Sequence, residues 1–133
     1  NLKKEFDQII IDGSPVMNLD NVFVDVAEHI IVPTFLDSVT TNSILNLLKK
    51  TDISKIRAVI PNRVGRTAIE KNFYTFLKDK LTRSGVFLSI PINQSAIILK
   101  LIENGTLLWE RRSQKLDDIK NVFIKVWGEI EDE

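Results

Sequence analysis

Cysteine is absent from the chain, which removes disulfides and thiolate metal sites together and is compatible with a reducing cytoplasm. Histidine occurs once, as His29, so no His–His metal pair can be assembled within the chain, and His29 reads as a structural residue at the start of a strand. No apolar run approaches the roughly 20 residues that a bilayer-crossing helix needs. Asn1-Leu2-Lys3-Lys4 leads into an acidic residue, Glu5, rather than the apolar region of a signal peptide. The five glycines, at 13, 65, 85, 105 and 128, are scattered. Nowhere do they form the Gly-x-x-x-x-Gly-Lys-Ser/Thr loop whose backbone N–H groups cradle phosphates.

What is present has the balance of an ordinary globular domain: 133 residues, 44% hydrophobic and 27% charged, enough for one domain with a sizeable core. A formal net charge of zero hides an asymmetry. Residues 1–37 carry two lysines against seven acids, a net of −5, whereas residues 38–125 carry sixteen Lys and Arg against seven acids, a net of +9. The last eight residues add four acids and no base. A basic middle of this kind fits either nucleic-acid contact or solvated helix faces.

The stretch Phe6-Asp7-Gln8-Ile9-Ile10-Ile11-Asp12-Gly13-Ser14-Pro15 organises the reading. Three consecutive β-branched residues predict a strand covered on both faces, as at the centre of a parallel sheet. The run stops at Asp12, and Gly13-Ser14-Pro15 favours a turn. Ligands in open parallel sheets sit just beyond the carboxyl ends of strands, so Asp12 stands where chemistry is done, unless it only caps the turn before Pro15.

Down the chain, Leu19–Ala27 reads as a short helix with Asn18 as N-cap, and His29–Pro33 as a strand closed by proline. A polar connection over Thr34–Thr41 precedes a helix over Ser43–Lys50, and Ile56–Pro61 is the next buried-type strand. Thr67–Leu81 is the clearest amphipathic helix, with Ile69, Phe73, Phe76, Leu77 and Leu81 on one side and Gly85 as its stop. Val86–Pro91 is the fourth strand, followed by helices over Ser95–Glu103 and Gln114–Ile130, the last with Leu116, Ile119, Phe123, Val126 and Ile130 inward. The order β-α-β-α-β-α-β-α-α predicts an α/β fold with a mostly parallel sheet and helices on both faces.

A hydrophobic strand ending in Asp12-Gly13-Ser14-Pro15 resembles the Walker B segment of the ParA/MinD group of P-loop ATPases, the group with a deviant Walker A. Ile30-Ile31-Val32-Pro33, followed by Phe35-Leu36-Asp37-Ser38, is similar to that family's strand ending in Val-Pro and the loop after it. Val59-Ile60-Pro61-Asn62-Arg63-Val64 looks like its strand ending in Asn-Arg, and Ser89-Ile90-Pro91-Ile92-Asn93 like its Ile-Pro segment. Ile102-Glu103-Asn104-Gly105 resembles the helix end that follows. The matches fall in the family's order over about residues 5–112.

The resemblance implies a catalytic and Mg²⁺-holding role for Asp12, usually through the ion's water shell. Mg²⁺ prefers oxygen ligands and keeps several waters, so one carboxylate suits it. It also implies ATP as cofactor, with Asn62, Arg63, Pro91, Ile92 and Asn93 around the adenine. An asparagine amide offers the donor and acceptor that an adenine edge requires, although Asn62 in Asn-Arg-Val-Gly also suits a turn, and Pro91 suits a strand end. Arg63 and Arg66 are either solvent-facing or phosphate-seeking. As partners the resemblance implies a homodimer formed on ATP, a centromere-binding ParB-type protein and non-specific DNA, in a cytoplasmic, nucleoid-associated setting without a membrane. DNA contact is expected at Arg66, Lys71, Lys78, Arg83 and Lys100.

The sequence departs from the family in three respects. The phosphate loop, normally upstream of Walker B, is missing, so the chain by itself is not expected to hydrolyse ATP, and residues 1–133 read as the C-terminal portion of a ParA-type ATPase domain, incomplete at the N-terminus. Only one proline follows Asp12, and the Ile-Pro segment continues with neutral Asn93-Gln94 instead of a basic residue. The acidic end Glu129-Ile130-Glu131-Asp132-Glu133 would be repelled by an anionic membrane and favours a partition ATPase over a MinD-like regulator. The alternatives are a MinD-like or other P-loop regulatory ATPase, or a non-catalytic flavodoxin-like α/β binding module.

Overall fold

The computed structural model describes residues 2–13 and 17–131. It is α/β. Helix α1 (Met17–Val26) leads to strand β1 (Ile30–Thr34), helix α2 (Ser38–Lys50), strand β2 (Ile56–Pro61) and helix α3 (Ala68–Ser84). Strand β3 (Phe87–Leu88) and helices α4 (Ala96–Glu103) and α5 (Gln114–Glu131) follow, with short 3₁₀ turns at Leu2–Lys4, Ile53–Lys55 and Leu108–Glu110. Among the described residues the sheet has three strands in the order β1-β2-β3, and both pairings are parallel.

Strand β2 is central and almost wholly buried, as Ile56, Ala58, Val59, Ile60 and Pro61 require, with Arg57 the one charged residue in it. On one face Ile56 and Val59 meet Leu36 and Ile44 of the α2 region and Leu77 and Leu81 of α3. On the other, Ala58 and Ile60 meet Ile92 with Val122 and Val126 of α5, and Ile98 of α4 packs alongside. The helices therefore cover both faces of the sheet, as the alternating pattern predicts. The register slips between Ile30 and Ile31, which pair with Ile56 and Ala58, so Arg57 is the extra residue of a bulge. Among the described residues strand β1 lies at an edge. Its Thr34 carbonyl faces β2, which by alternation turns the position of Pro33 to the open side, where a missing N–H costs no ladder bond.

One expectation is corrected outright. The run Phe6–Ile11 is not a buried strand: residues 8–13 carry no regular secondary structure, and Ile9, Ile10 and Ile11 are 45%, 85% and 43% exposed. Consecutive β-branched residues favour extended backbone, but a buried strand also needs hydrogen-bonding neighbours and cover on each face. Here the helices close around β2 instead, and Asp12 is exposed outside the sheet rather than at a strand tip. Of the expected turn residues, Ser14 and Pro15 lie outside the described residues.

Smaller differences have equally local causes. Helix α2 begins five residues before its expected start because Asp37 caps it, accepting the Thr40 N–H at 2.8 Å. Asn18 lies inside α1 rather than capping it. Helix α3 runs on to Ser84 and stops where Gly85 takes a left-handed φ of 72°, the stop expected of it. Its buried stripe is Leu77 and Leu81 with half-buried Phe73 and Tyr74, and it leaves Ile69 and Phe76 exposed. In α5 Val122, not Phe123, faces the core. Strand β3 pairs over two residues only, then continues as an irregular segment still tied to β2 by Ser89 N–H to Val59 O and Ile92 N–H to Pro61 O.

Candidate functional site

The carboxyl ends of β1 and β2 lie side by side, joined by the Asn62 N–H donating to Thr34 O at 2.8 Å. Between them is a cleft of about 140 Å³ lined by Pro33, Thr34, Phe35, Thr40 and Asn62. This is where open α/β sheets take ligands, because strand-end loops there carry exposed polar groups over a rigid base.

Local hydrogen bonds set the walls. The Thr34 hydroxyl donates to Phe35 O at 2.9 Å, and the Thr40 hydroxyl lies 2.8 Å from both Phe35 O and Asp37 Oδ1. Bonds from Thr40, its backbone N–H first and its hydroxyl second, hold the Asp37 carboxyl below the ordinary aspartate range. The Asn62 side-chain oxygen accepts the Arg63 N–H at 2.9 Å, which leaves the Asn62 amide nitrogen as the donor available to a ligand. Arg63 takes a φ of 52°, the left-handed region that non-glycine residues rarely occupy, and its guanidinium sits over the Phe35 ring at 6.0 Å from the centroid.

A second loop reaches the same end of the sheet. Val64 N–H donates to Ile92 O and Gln94 N–H to Val64 O, both at 3.1 Å, so the segments 62–65 and 91–94 run together beyond the strands. The segments carrying Asn62 and Arg63 and carrying Pro91 and Asn93, which the resemblance groups, therefore lie side by side. Ile92 is the exception. Its side chain is 6% exposed within the core beside Ala58 and Ile60, so it packs the sheet and has no face to offer a base. Pro91 is half-buried and Asn93 exposed.

Asp12 does not join this cluster through the sheet, and no group of three or more His, Asp and Glu able to hold a metal occurs among the described residues. A base-sized fragment suits the cleft, whose volume is below the roughly 300–1,000 Å³ of a whole small-molecule pocket. The cleft's lining offers the Asn62 amide, two threonine hydroxyls and the Phe35 ring, and no cationic side chain.

The expected DNA residues are all exposed. Arg66 precedes α3 and Arg83 lies in its last turn, so about 25 Å of helix separates them. Lys71 and Lys78 share one flank two turns apart. Arg83 is engaged by Asp79 at 3.1 Å, which reduces the charge it offers a phosphate. Lys100 stands apart on α4.

Thr34, Phe35 and Thr40 are site residues that the sequence reading passes over. Their one signal is their place, immediately after the carboxyl end of β1, and reading 34–41 as a plain polar connection hides it. His29 is positioned as a structural residue, its Nδ1 accepting Arg57 Nε–H at 3.2 Å from the neighbouring strand. No helix is long and apolar enough to cross a membrane among the described residues. In comparisons with known proteins, no family model, no curated protein and no solved structure matches the chain.

Proposed function

We propose that the chain binds an adenine nucleotide at the carboxyl ends of β1 and β2, as part of a ParA-type DNA-partition ATPase. The observation that carries the reading is the cleft itself, where the free amide nitrogen of Asn62 and the ring of Phe35 border a base-sized space at the strand ends. Asn62 reads the base edge, Phe35 and Pro91 give it apolar contact, and Arg63, parked over Phe35, is within the same loop to meet a phosphate or sugar. On this reading ATP drives homodimerisation, and the dimer binds non-specific DNA and a ParB-type partner.

A non-catalytic α/β binding module is the second reading, favoured by the small cleft and by the absence of a phosphate loop from the sequence. Nucleotide titration separates the two. Asn62→Ala should weaken ATP binding about 3- to 30-fold, the worth of one or two hydrogen bonds to the base, and reduce the preference for ATP over GTP. Equal binding of ATP by the variant and the wild type, or no preference between ATP and GTP in either, would overturn the adenine assignment.

A further inference from the structure

Next along the chain, where α4 begins, lies a second concavity, larger than the first. Ser95, Ala96, Ile97, Lys100, Arg111 and Lys115 line about 370 Å³ there. Three separate elements each contribute a cation: Lys100 from α4, Arg111 from the segment just after the Leu108–Glu110 turn, and Lys115 from the first turn of α5. No acidic side chain lines the hollow, and among the described residues no carboxylate pairs with any of the three. Like charges around a common hollow disfavour one another, and a bound anion relieves that repulsion.

The segment carrying Arg111 is held in place. Lys120 of α5 donates to Arg111 O at 2.7 Å while its ammonium lies 5.8 Å from the centroid of the Trp109 ring, and Glu110 accepts the Leu107 N–H at 2.8 Å. Ser95 precedes α4 without making a side-chain cap bond, so its hydroxyl is available to a ligand. Apolar Ala96 and Ile97 complete the wall. One planar guanidinium fork, two compact ammonium groups and a hydroxyl make a donor set that matches the several oxygens of a phosphate better than the two of a carboxylate.

We propose that this concavity binds a phosphate group, carried either by a small phosphorylated molecule or by a nucleic-acid backbone. The site uses none of the residues of the strand-end cleft and stands or falls independently of the nucleotide reading. Of its three cations, Lys100 alone stands out in the sequence.

The test titrates the purified protein with inorganic pyrophosphate, followed by backbone amide chemical shifts, and with a short DNA duplex, followed by anisotropy at two salt concentrations. For whichever probe binds, Lys100→Gln/Arg111→Gln/Lys115→Gln should weaken binding by about tenfold or more, the product of three exposed charge interactions. Pyrophosphate shifts centred on 95–97 and 111–115 and abolished in the variant assign a small phosphorylated ligand. Duplex binding alone, weakened in the variant with a shallower salt slope, assigns a nucleic-acid backbone. All three side chains are exposed, so the fold should survive, which thermal unfolding checks; Lys115→Glu alone must act in the same direction. If neither probe binds, if the variants bind as the wild type does, or if the shifts centre elsewhere, the proposal is wrong.

Discussion

Glu70 shows how one side chain shapes the loop that carries the site. Its carboxylate accepts the Gly65 N–H at 2.8 Å, the Thr67 N–H at 3.1 Å and the Thr67 hydroxyl at 2.7 Å, so it caps α3 and fastens the 62–66 loop in the same stroke. A Cβ at Gly65 would come within 2.9 Å of Glu70 Oε2, and any side chain there would disturb the clamp. The Gly65 bond, followed by those from Thr67, holds the Glu70 carboxyl below the ordinary value of 4.5. A lowered folded pKa means that the stabilisation is complete above the unfolded value and fades as the pH falls through the folded one. The stability difference between wild type and Glu70→Gln should therefore be constant above about pH 6 and shrink as the medium is acidified below 4.5. Parallel urea unfolding of the two proteins across pH checks it, and a difference independent of pH would show that the carboxylate charge plays no part.

At the scale of elements, α3 and the Phe6–Ile11 run make an instructive pair. Both are rich in large apolar residues, yet Leu77 is fully buried against β2 while Ile10 is 85% exposed. Leu77→Ala should cost about 2–5 kcal/mol, the usual range for emptying a packed site, and Ile10→Ser within about 0.5 kcal/mol of nothing. Denaturant titration of both variants tests the placement of the N-terminal run. A loss of more than about 2 kcal/mol in Ile10→Ser would mean that the run is buried in the native protein after all. The difference is not legible in the residues. A triple isoleucine has the same propensity whether or not a neighbouring strand accepts it, whereas α3 carries its own signals in Thr67, Glu70 and Gly85.

Over the whole molecule, charge separates from the core. The basic excess of residues 38–125 is spread along exposed positions, among them Arg66, Lys71, Lys78 and Arg83 around α3. If these form the DNA surface of the proposed dimer, their simultaneous replacement by alanine should lower DNA affinity in the presence of ATP. It should also flatten the salt dependence by about 0.9 log units per log salt for each phosphate that the variant no longer neutralises. Anisotropy with a labelled duplex over a range of salt reads both quantities. Unchanged affinity and slope would exclude this flank as the DNA surface and leave its lysines as solvated helix charge.

The sequence by itself determined the fold class, since strands and helices alternate with periods of their own and β2 is apolar at every position but Arg57, which requires cover on both faces. It also determined the start of α3 at Thr67 and its stop at Gly85, because caps are local chemistry, whereas the grouping of Asn62 with the Pro91 segment came only from the family resemblance. Tertiary structure alone decided the rest. Whether an apolar run enters a sheet depends on strands and helices distant in sequence, which is why Ile9–Ile11 lies exposed and Ile92 went to the core instead of a ligand. Thr40 reached the cleft only through the packing of α2, and Lys100, Arg111 and Lys115 met only because α4 and α5 cover one face of the sheet. Residues that are far apart in the chain and share no period carry no mark of their meeting, so a site built from them is visible only after folding.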